Sequence, residues 1–283
     1  MASVRAFLRR LTVILLALAL GPAAESARAQ SVFVPSFWDP HHRIAKPNIR
    51  NLRNLRFLTE DDYPPFHFAL PDGTLAGFDI DVARALCAEL NAHCTVQARS
   101  FDTLVDALES EQGDAIIAPI RIDAQSRAKL DFSAPYYSMP ARFVSLTAVS
   151  SEDAIPETLR KKTVGVQAGT AHEAYLKTFF PEAILKPYRS QTELRAALLK
   201  AEVDTVFGDG ISLSLWLVAE GRECCRFRGG PYLDQRFFGE GAAIAVKKGN
   251  RELREALDWA LASIAARGIY TDLYLKYFPL GFY

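Results

Sequence analysis

The sequence predicts an α/β protein of two similar lobes, and three observations carry that prediction. From Leu55 onward, short apolar runs typical of buried strands alternate with amphipathic helical patterns. One helix–strand layout recurs at an offset of 90 residues: Leu194 and Leu198 match Leu104 and Leu108, and Asp204-Thr205-Val206-Phe207 matches Asp114-Ala115-Ile116-Ile117. The length, 283 residues, suits about two domains.

Residues 1–29 read as a secretory signal peptide. Arg5, Arg9 and Arg10 precede an apolar run from Leu11 to Leu20, and Ala27-Arg28-Ala29 supplies small residues for cleavage before Gln30. A membrane anchor would need roughly 18 or more apolar residues. Residues 30–52 lack periodicity and read as an irregular arm whose aromatics, Phe33, Phe37 and Trp38 among them, pack on the domain surface. Leu55-Arg56-Phe57-Leu58-Thr59 is a short buried strand, out of which Glu60, Asp61 and Asp62 emerge. Tyr63-Pro64-Pro65-Phe66 is a stiff aromatic turn, because each proline fixes its own φ and restricts its predecessor. Pro71-Asp72-Gly73 signals a hairpin turn, and His67 is expected on the hairpin surface. Asp79 is expected to cap a helix whose apolar face is Ile80, Ala83, Leu86, Cys87 and Leu90, ended by Asn91.

Asp102 is expected to cap the helix carrying Leu104, Val105 and Leu108, and Ser190-Gln191-Thr192-Glu193 is a capping box at its counterpart. Lys162 to Val166 is a strand running into a helix start at Gly169-Thr170, where free N–H groups and the helix dipole suit a carboxylate or phosphate. Gly241 to Val246 is a further strand, followed by helices from Arg251 to Arg267 and from Tyr270 to Phe278. Acids and aromatics just past a buried strand stand where open α/β sheets place ligands. That makes the stretch around Glu60 and Tyr63 the first site candidate, and the repeat makes Gly208-Asp209 an equivalent strand end in the second lobe.

Thirty-three basic side chains balance thirty-three acidic ones, so nothing favours nucleic acid or an anionic membrane surface. Export to an oxidising compartment would preserve disulfides. Cys87 lies near a helix end and Cys94 starts the next strand; a short loop returning beside its own helix brings the two Cβ atoms into range, so a bond is expected. For adjacent Cys224-Cys225 a strained vicinal disulfide and two thiols are both open. A metal site there is the weakest option, since no other cysteine or well-placed histidine supports one. No metal or cofactor is expected.

Five motifs in order resemble the polar amino-acid receptors of ABC importers, the solute-binding proteins of family 3. Gly77-Phe78-Asp79-Ile80-Asp81 with Cys87 and Cys94 is similar to the lysine/arginine/ornithine and histidine receptors. Asp131-Phe132-Ser133-Ala134-Pro135-Tyr136-Tyr137 resembles the run into the hinge, and Thr163 to Thr170 the first strand and helix of lobe two. Phe227-Arg228-Gly229-Gly230-Pro231 and Glu252 to Leu257 resemble the return hinge and the closing helices. The resemblance covers about Leu55 to Phe278.

It implies the two-lobe type II periplasmic binding protein fold, with mixed sheets flanked by helices and a ligand cleft at the hinge. Lobe 1 would be 53–141 plus 236–283, and lobe 2 would be 142–235. It further implies a periplasmic monomer with no catalytic residues that captures an amino acid or small carboxylate and hands it to an ABC permease. Residue by residue, it implies Arg127 as the fork for the α-carboxylate, completed by Thr170 and the amides near Gly169 and Ala171. Asp209 would take the α-ammonium, Tyr63 and Phe101 would form the walls, and Glu60 would meet the ligand's side chain.

The departures matter as well. Ala118-Pro119-Ile120-Arg121 stands where the family carries Ser or Thr donors, and Arg127 sits one residue later than the family spacing places it. Either the loop bulges or Arg121 takes over the carboxylate. Two arginines in the cleft would admit an anionic ligand; a Glu60–Arg121 pair would instead neutralise the side-chain pocket. Beside the receptor reading stand two alternatives on the same fold: a cyclohexadienyl dehydratase acting on prephenate or arogenate, and a periplasmic accessory or sensory binding protein.

Overall fold

The computed structural model describes residues 32–35, 44–47, 53–148 and 153–283. The expected signal peptide and most of the 30–52 arm lie outside the described residues. Of the arm's described part, Val32 and Val34 pack against the core of the first lobe, and Lys46 Nζ lies 4.7 Å from the centre of the Trp259 ring. Phe33 departs from expectation and faces solvent. Among the described residues no helix is long and apolar enough to cross a membrane.

The first part of the chain gives β1 (Asn54–Thr59), β2 (Asp62–Tyr63), β3 (His67–Ala69), β4 (Leu75–Ala76), α1 (Phe78–Leu90), β5 (His93–Ala98), α2 (Leu104–Glu109), β6 (Ala115–Ile116), α3 (Ala124–Lys129) and β7 (Leu130–Phe132). Next come β8 (Ala141–Leu146), β9 (Thr163–Gln167), α4 (Ala171–Phe179), β10 (Ile184–Tyr188), α5 (Gln191–Leu199), β11 (Thr205–Asp209), α6 (Gly210–Ala219) and β12 (Cys225–Tyr232). The chain closes with α7 (Gln235–Phe238), β13 (Ala245–Lys247), α8 (Arg251–Ala266) and α9 (Ile269–Tyr277).

Two five-stranded sheets result, in the orders β5-β1-β6-β13-β7 and β10-β9-β11-β8-β12. They match strand for strand. In each, the first three strands run parallel and the last two pair antiparallel. The repeat inferred from β6 and β11 therefore extends through both sheets, and those two strands hold the central place in each. The fourth place is taken by the strand that arrives from the other half of the chain: β13 in the first sheet and β8 in the second. A small antiparallel sheet, β2-β3-β4, sits beside the first, with Asp72 and Gly73 in the expected turn.

Helix α1 shows how the local signals work. Its stripe of Phe78, Val82, Ala83, Leu86, Cys87 and Leu90 is buried against the sheet and α8, each large side chain worth about 1.5–3 kcal/mol. Asn91 ends it in the left-handed conformation at φ 52°. Its start differs from expectation. The amides of Phe78 and Asp79 bond the carbonyls of Pro65 and Phe66 at 2.9 and 2.8 Å, so Gly77 is the cap residue and no side chain is needed. Gly77 has φ 129°, and a Cβ there would lie 2.2 Å from the Phe66 carbonyl oxygen, so only glycine allows this approach. Asp79 is thereby released from capping and turns inward.

Asp102 does not cap either; it lies in a 3-10 turn, Phe101–Thr103, without a side-chain cap bond. Ser190 does accept from the Glu193 amide at 3.2 Å, but the Glu193 carboxylate reaches the amide of Arg189, at 3.1 Å, instead of completing the box. Cys87 and Cys94 are bonded, as are Cys224 and Cys225, so the vicinal disulfide is the alternative that forms.

Candidate functional site

Glu60 follows the carboxyl end of β1, where the parallel strands of an open sheet gather ligands. Asp61 and Asp62 are exposed and form a solvated edge. Tyr63 is 41% exposed, stacks on Phe66 at 5.5 Å between ring centres, and lies 5.5 Å from the His67 ring. Burial, and then the Asp209, Asp79 and Glu60 carboxylates, push its phenol up. The Asp209 contribution brings the strand end of the second sheet into the field of the first lobe's aromatic turn.

His67 is the main correction. Expected on the surface, it is fully buried, with Nδ1 2.8 Å from Asp79 Oδ2 and Nε2 3.2 Å from Glu60 Oε1. Asp79 is also fully buried, and the Tyr136 hydroxyl donates to its Oδ1 at 2.9 Å. A four-membered chain thus runs from Tyr136 through Asp79 and His67 to Glu60. Burial works to lower the imidazole, but Asp79 and then Glu60 outweigh it and hold His67 above its ordinary value. Burial pushes the Asp79 carboxyl up against the pull of His67 and Tyr136. A signal for this existed: Asp79, Ala83, Leu86 and Leu90 follow helical spacing, so an acid occupies the apolar stripe and requires a buried partner.

The arginines are placed differently from expectation. Arg127 lies in the last turn of α3, and its guanidinium bonds Glu240 at 2.6 Å, with both side chains largely in solvent. Asp123 and Ser126 close a capping box ahead of it. Arg121 is 90% exposed, and its nearest carboxylate is Asp123 at 3.8 Å, so the Glu60–Arg121 pair does not form. A cleft of about 630 Å³ opens between the Pro119–Asp123 loop, Met139, Ala171 at the start of α4, and the 235–241 segment. Of the expected ligand residues only Arg121 lines it; Glu60, Tyr63, Phe101, Arg127, Thr170 and Asp209 do not.

In the second lobe, Thr170 caps α4, accepting from the Glu173 amide at 3.4 Å and donating to the Gln167 carbonyl at 2.8 Å. The Glu173 carboxylate takes the Gly169 amide at 2.7 Å, so that donor is already engaged. Lys177, then the Gly169 N–H, hold Glu173 below the usual range. Asp209 caps α6 by accepting from the Ser212 amide at 2.7 Å. Burial pushes its carboxyl up, against the amides of Ser212 and Ile211. Phe101 is 44% exposed in its 3-10 turn.

The comparisons agree with this architecture. An L-arginine-binding protein of Pseudomonas aeruginosa is 33% identical over 243 residues, covering 85% of this chain and 93% of that one. The ABC transporter arginine-binding protein 1 of Escherichia coli is 31% identical over 225 residues, covering 80% and 90%. In fold, the unliganded open L-cystine solute receptor of Neisseria gonorrhoeae matches with a TM-score of 0.72 at 20% identity, covering 83% of this chain and 96% of that one. A sequence profile of one family matches residues 55–280, which takes in both sheets and the candidate site. The chain belongs to the bacterial extracellular solute-binding proteins, family 3.

Proposed function

We propose that the protein is the periplasmic receptor of an ABC importer and that its ligand is an amino acid with a cationic side chain. It is a receptor and not an enzyme, as its family is, and the comparisons give the dehydratase alternative no support. The observation that carries the charge of the ligand is the distribution of acids and arginines. Glu60 and Asp209 are partly buried and both push the Tyr63 phenol up by their charge, whereas Arg127 is drawn off by Glu240. The arginine-binding relatives point the same way.

On this reading Tyr63 and Phe101 form the walls, Asp209 takes the α-ammonium with the oxygen its cap leaves over, and Glu60 meets the side-chain cation. Arg121 and the Ala171 amide, both on the 630 Å³ cleft, seat the α-carboxylate. Thr170 and Arg127 support the site from behind, through the α4 cap and the ion pair with Glu240. The receptor works as a monomer whose lobes close on the ligand and whose closed form docks on the permease.

The test is calorimetry on protein unfolded and refolded to strip any carried ligand, titrated with arginine, lysine, histidine, glutamine and glutamate. Binding restricted to, or tightest for, the cationic members is expected. Tightest binding of glutamate, or no binding at all, would overturn the proposal.

A further inference from the structure

We propose that His67 sets the charge preference of the cleft: it clamps one oxygen of Glu60 and leaves the other to receive a guanidinium or ammonium group of the ligand. The inference rests on Glu60 facing the ligand's side chain, as argued above. It assigns a positioning role to a residue that itself never touches the ligand.

The geometry is specific. Both ring nitrogens of His67 face carboxylate oxygens, Asp79 Oδ2 at 2.8 Å and Glu60 Oε1 at 3.2 Å. An ionised carboxylate only accepts, and a neutral imidazole carries a single N–H. Serving both carboxylates therefore takes the imidazolium, with two donors. The other oxygen of Asp79 is already met by the Tyr136 hydroxyl. The imidazolium then donates to both sides, Asp79 has both its oxygens met, and the free acceptor capacity is left at Glu60. Glu60 Oε2 has no partner among the described residues, and the Glu60 side chain is the one member that reaches solvent, at 16% exposure.

Charge gives the preference its sign. Two carboxylates share one imidazolium, so a single negative charge remains, and it sits at the exposed end. The Tyr63 ring, 5.5 Å from that of His67, feels the charge of both Glu60 and Asp209, and no Lys or Arg pairs with Glu60 among the described residues. A cation is the complement of that arrangement. The direction of the shifts agrees, since the two carboxylates hold His67 above its ordinary value in spite of burial. A clamped carboxylate also loses less side-chain freedom when the ligand arrives, which is how preorganisation raises affinity.

The experiment compares arginine with citrulline, its neutral isostere, on the full mature chain as wild type, His67→Gln and Glu60→Gln. Wild type is expected to prefer arginine, and Glu60→Gln to erase that preference. His67→Gln is expected to cut the arginine-to-citrulline ratio about tenfold while citrulline affinity changes little. Equal weakening toward both ligands would make His67 merely structural, and an unchanged ratio would remove it from specificity; either result overturns the inference while the receptor reading stands. Wild type that binds neither ligand nor any other amino acid sinks the receptor reading, and this role with it. Nitrogen-resolved NMR of the ligand-free protein checks the clamp without relying on a variant's fold. Both His67 nitrogens should stay protonated above pH about 6.5, and His67 should lose its proton at lower pH in Glu60→Gln. An ordinary His67 titration in wild type overturns the proposal.

Discussion

The two lobes have the same strand order and strand directions, yet each fills the space beyond its first strand with opposite chemistry. After β1, His67 lies between two carboxylates, Asp79 and Glu60. After β9, His172 lies between rings, stacked on Phe238 at 5.2 Å and edge-on to Phe207 at 5.9 Å. One histidine is held above its ordinary value; the other is pushed down to about 4 by burial alone. Topology does not dictate this difference. Neighbouring side chains do, and the polar half is the one that faces the proposed ligand. The aromatic half ties α4 to α7 and β11, through Tyr175, Phe207 and Phe238.

The most damaging way to test that contrast is to break the polar half at its buried centre. Asp79→Ala would leave His67 without its deeper partner and the buried Tyr136 hydroxyl without an acceptor. Removing one member of a buried pair costs about 3–5 kcal/mol. Denaturant unfolding should therefore show a large drop in midpoint for Asp79→Ala. A loss below about 1 kcal/mol would mean that the chain of four contributes little to the fold.

A second difference is covalent. The α1–β5 connection is stapled by Cys87–Cys94, whereas the equivalent α4–β10 connection is held by apolar packing around buried Phe180. Closing so short a loop restrains the unfolded chain by about 2 kcal/mol. The double variant Cys87→Ser with Cys94→Ser should lose about that much while still binding ligand, since Cys94 pairs with Leu55 near the start of β1, whereas Glu60 follows its end. Unchanged stability would show that packing alone secures both lobes.

Much of the fold is legible in the sequence because periodic burial leaves a mark at each strand and helix. The match of Leu104 and Leu108 to Leu194 and Leu198 locates two corresponding helix–strand units, and the sheets extend it to every strand. The site is less legible, because its partners are distant in the chain or are settled by backbone bonds. Asp79 looks like a cap, and it would be one if the carbonyls of Pro65 and Phe66 did not already take the helix amides. His67 looks like a hairpin surface residue until Gly77 lets β3 close on α1. Arg127 looks like a free fork, but Glu240, far along the chain, claims it. Helical spacing did place Asp79 in an apolar stripe, and that was the readable trace of the buried chain.

The smallest expected effect separates the two histidines by pH. His172 has a folded value of about 4, below the ordinary 6.5, so the unfolded chain takes up its proton more readily than the folded one. Its contribution is full above pH 6.5 and is lost as pH falls from there toward 4. His67 is raised, so its contribution is full below 6.5 and is lost as pH rises through its folded value. Replacing His172 by Phe keeps a ring against Phe238 and removes the proton. Near pH 5.5 it should gain about 1 kcal/mol over wild type and flatten the acid limb, leaving the alkaline limb unchanged. His67→Gln should do the reverse, flattening the alkaline limb alone. Thermal unfolding across pH 4.5 to 8.5 reads both, and an acid limb that survives His172→Phe would place its cause among the carboxylates instead.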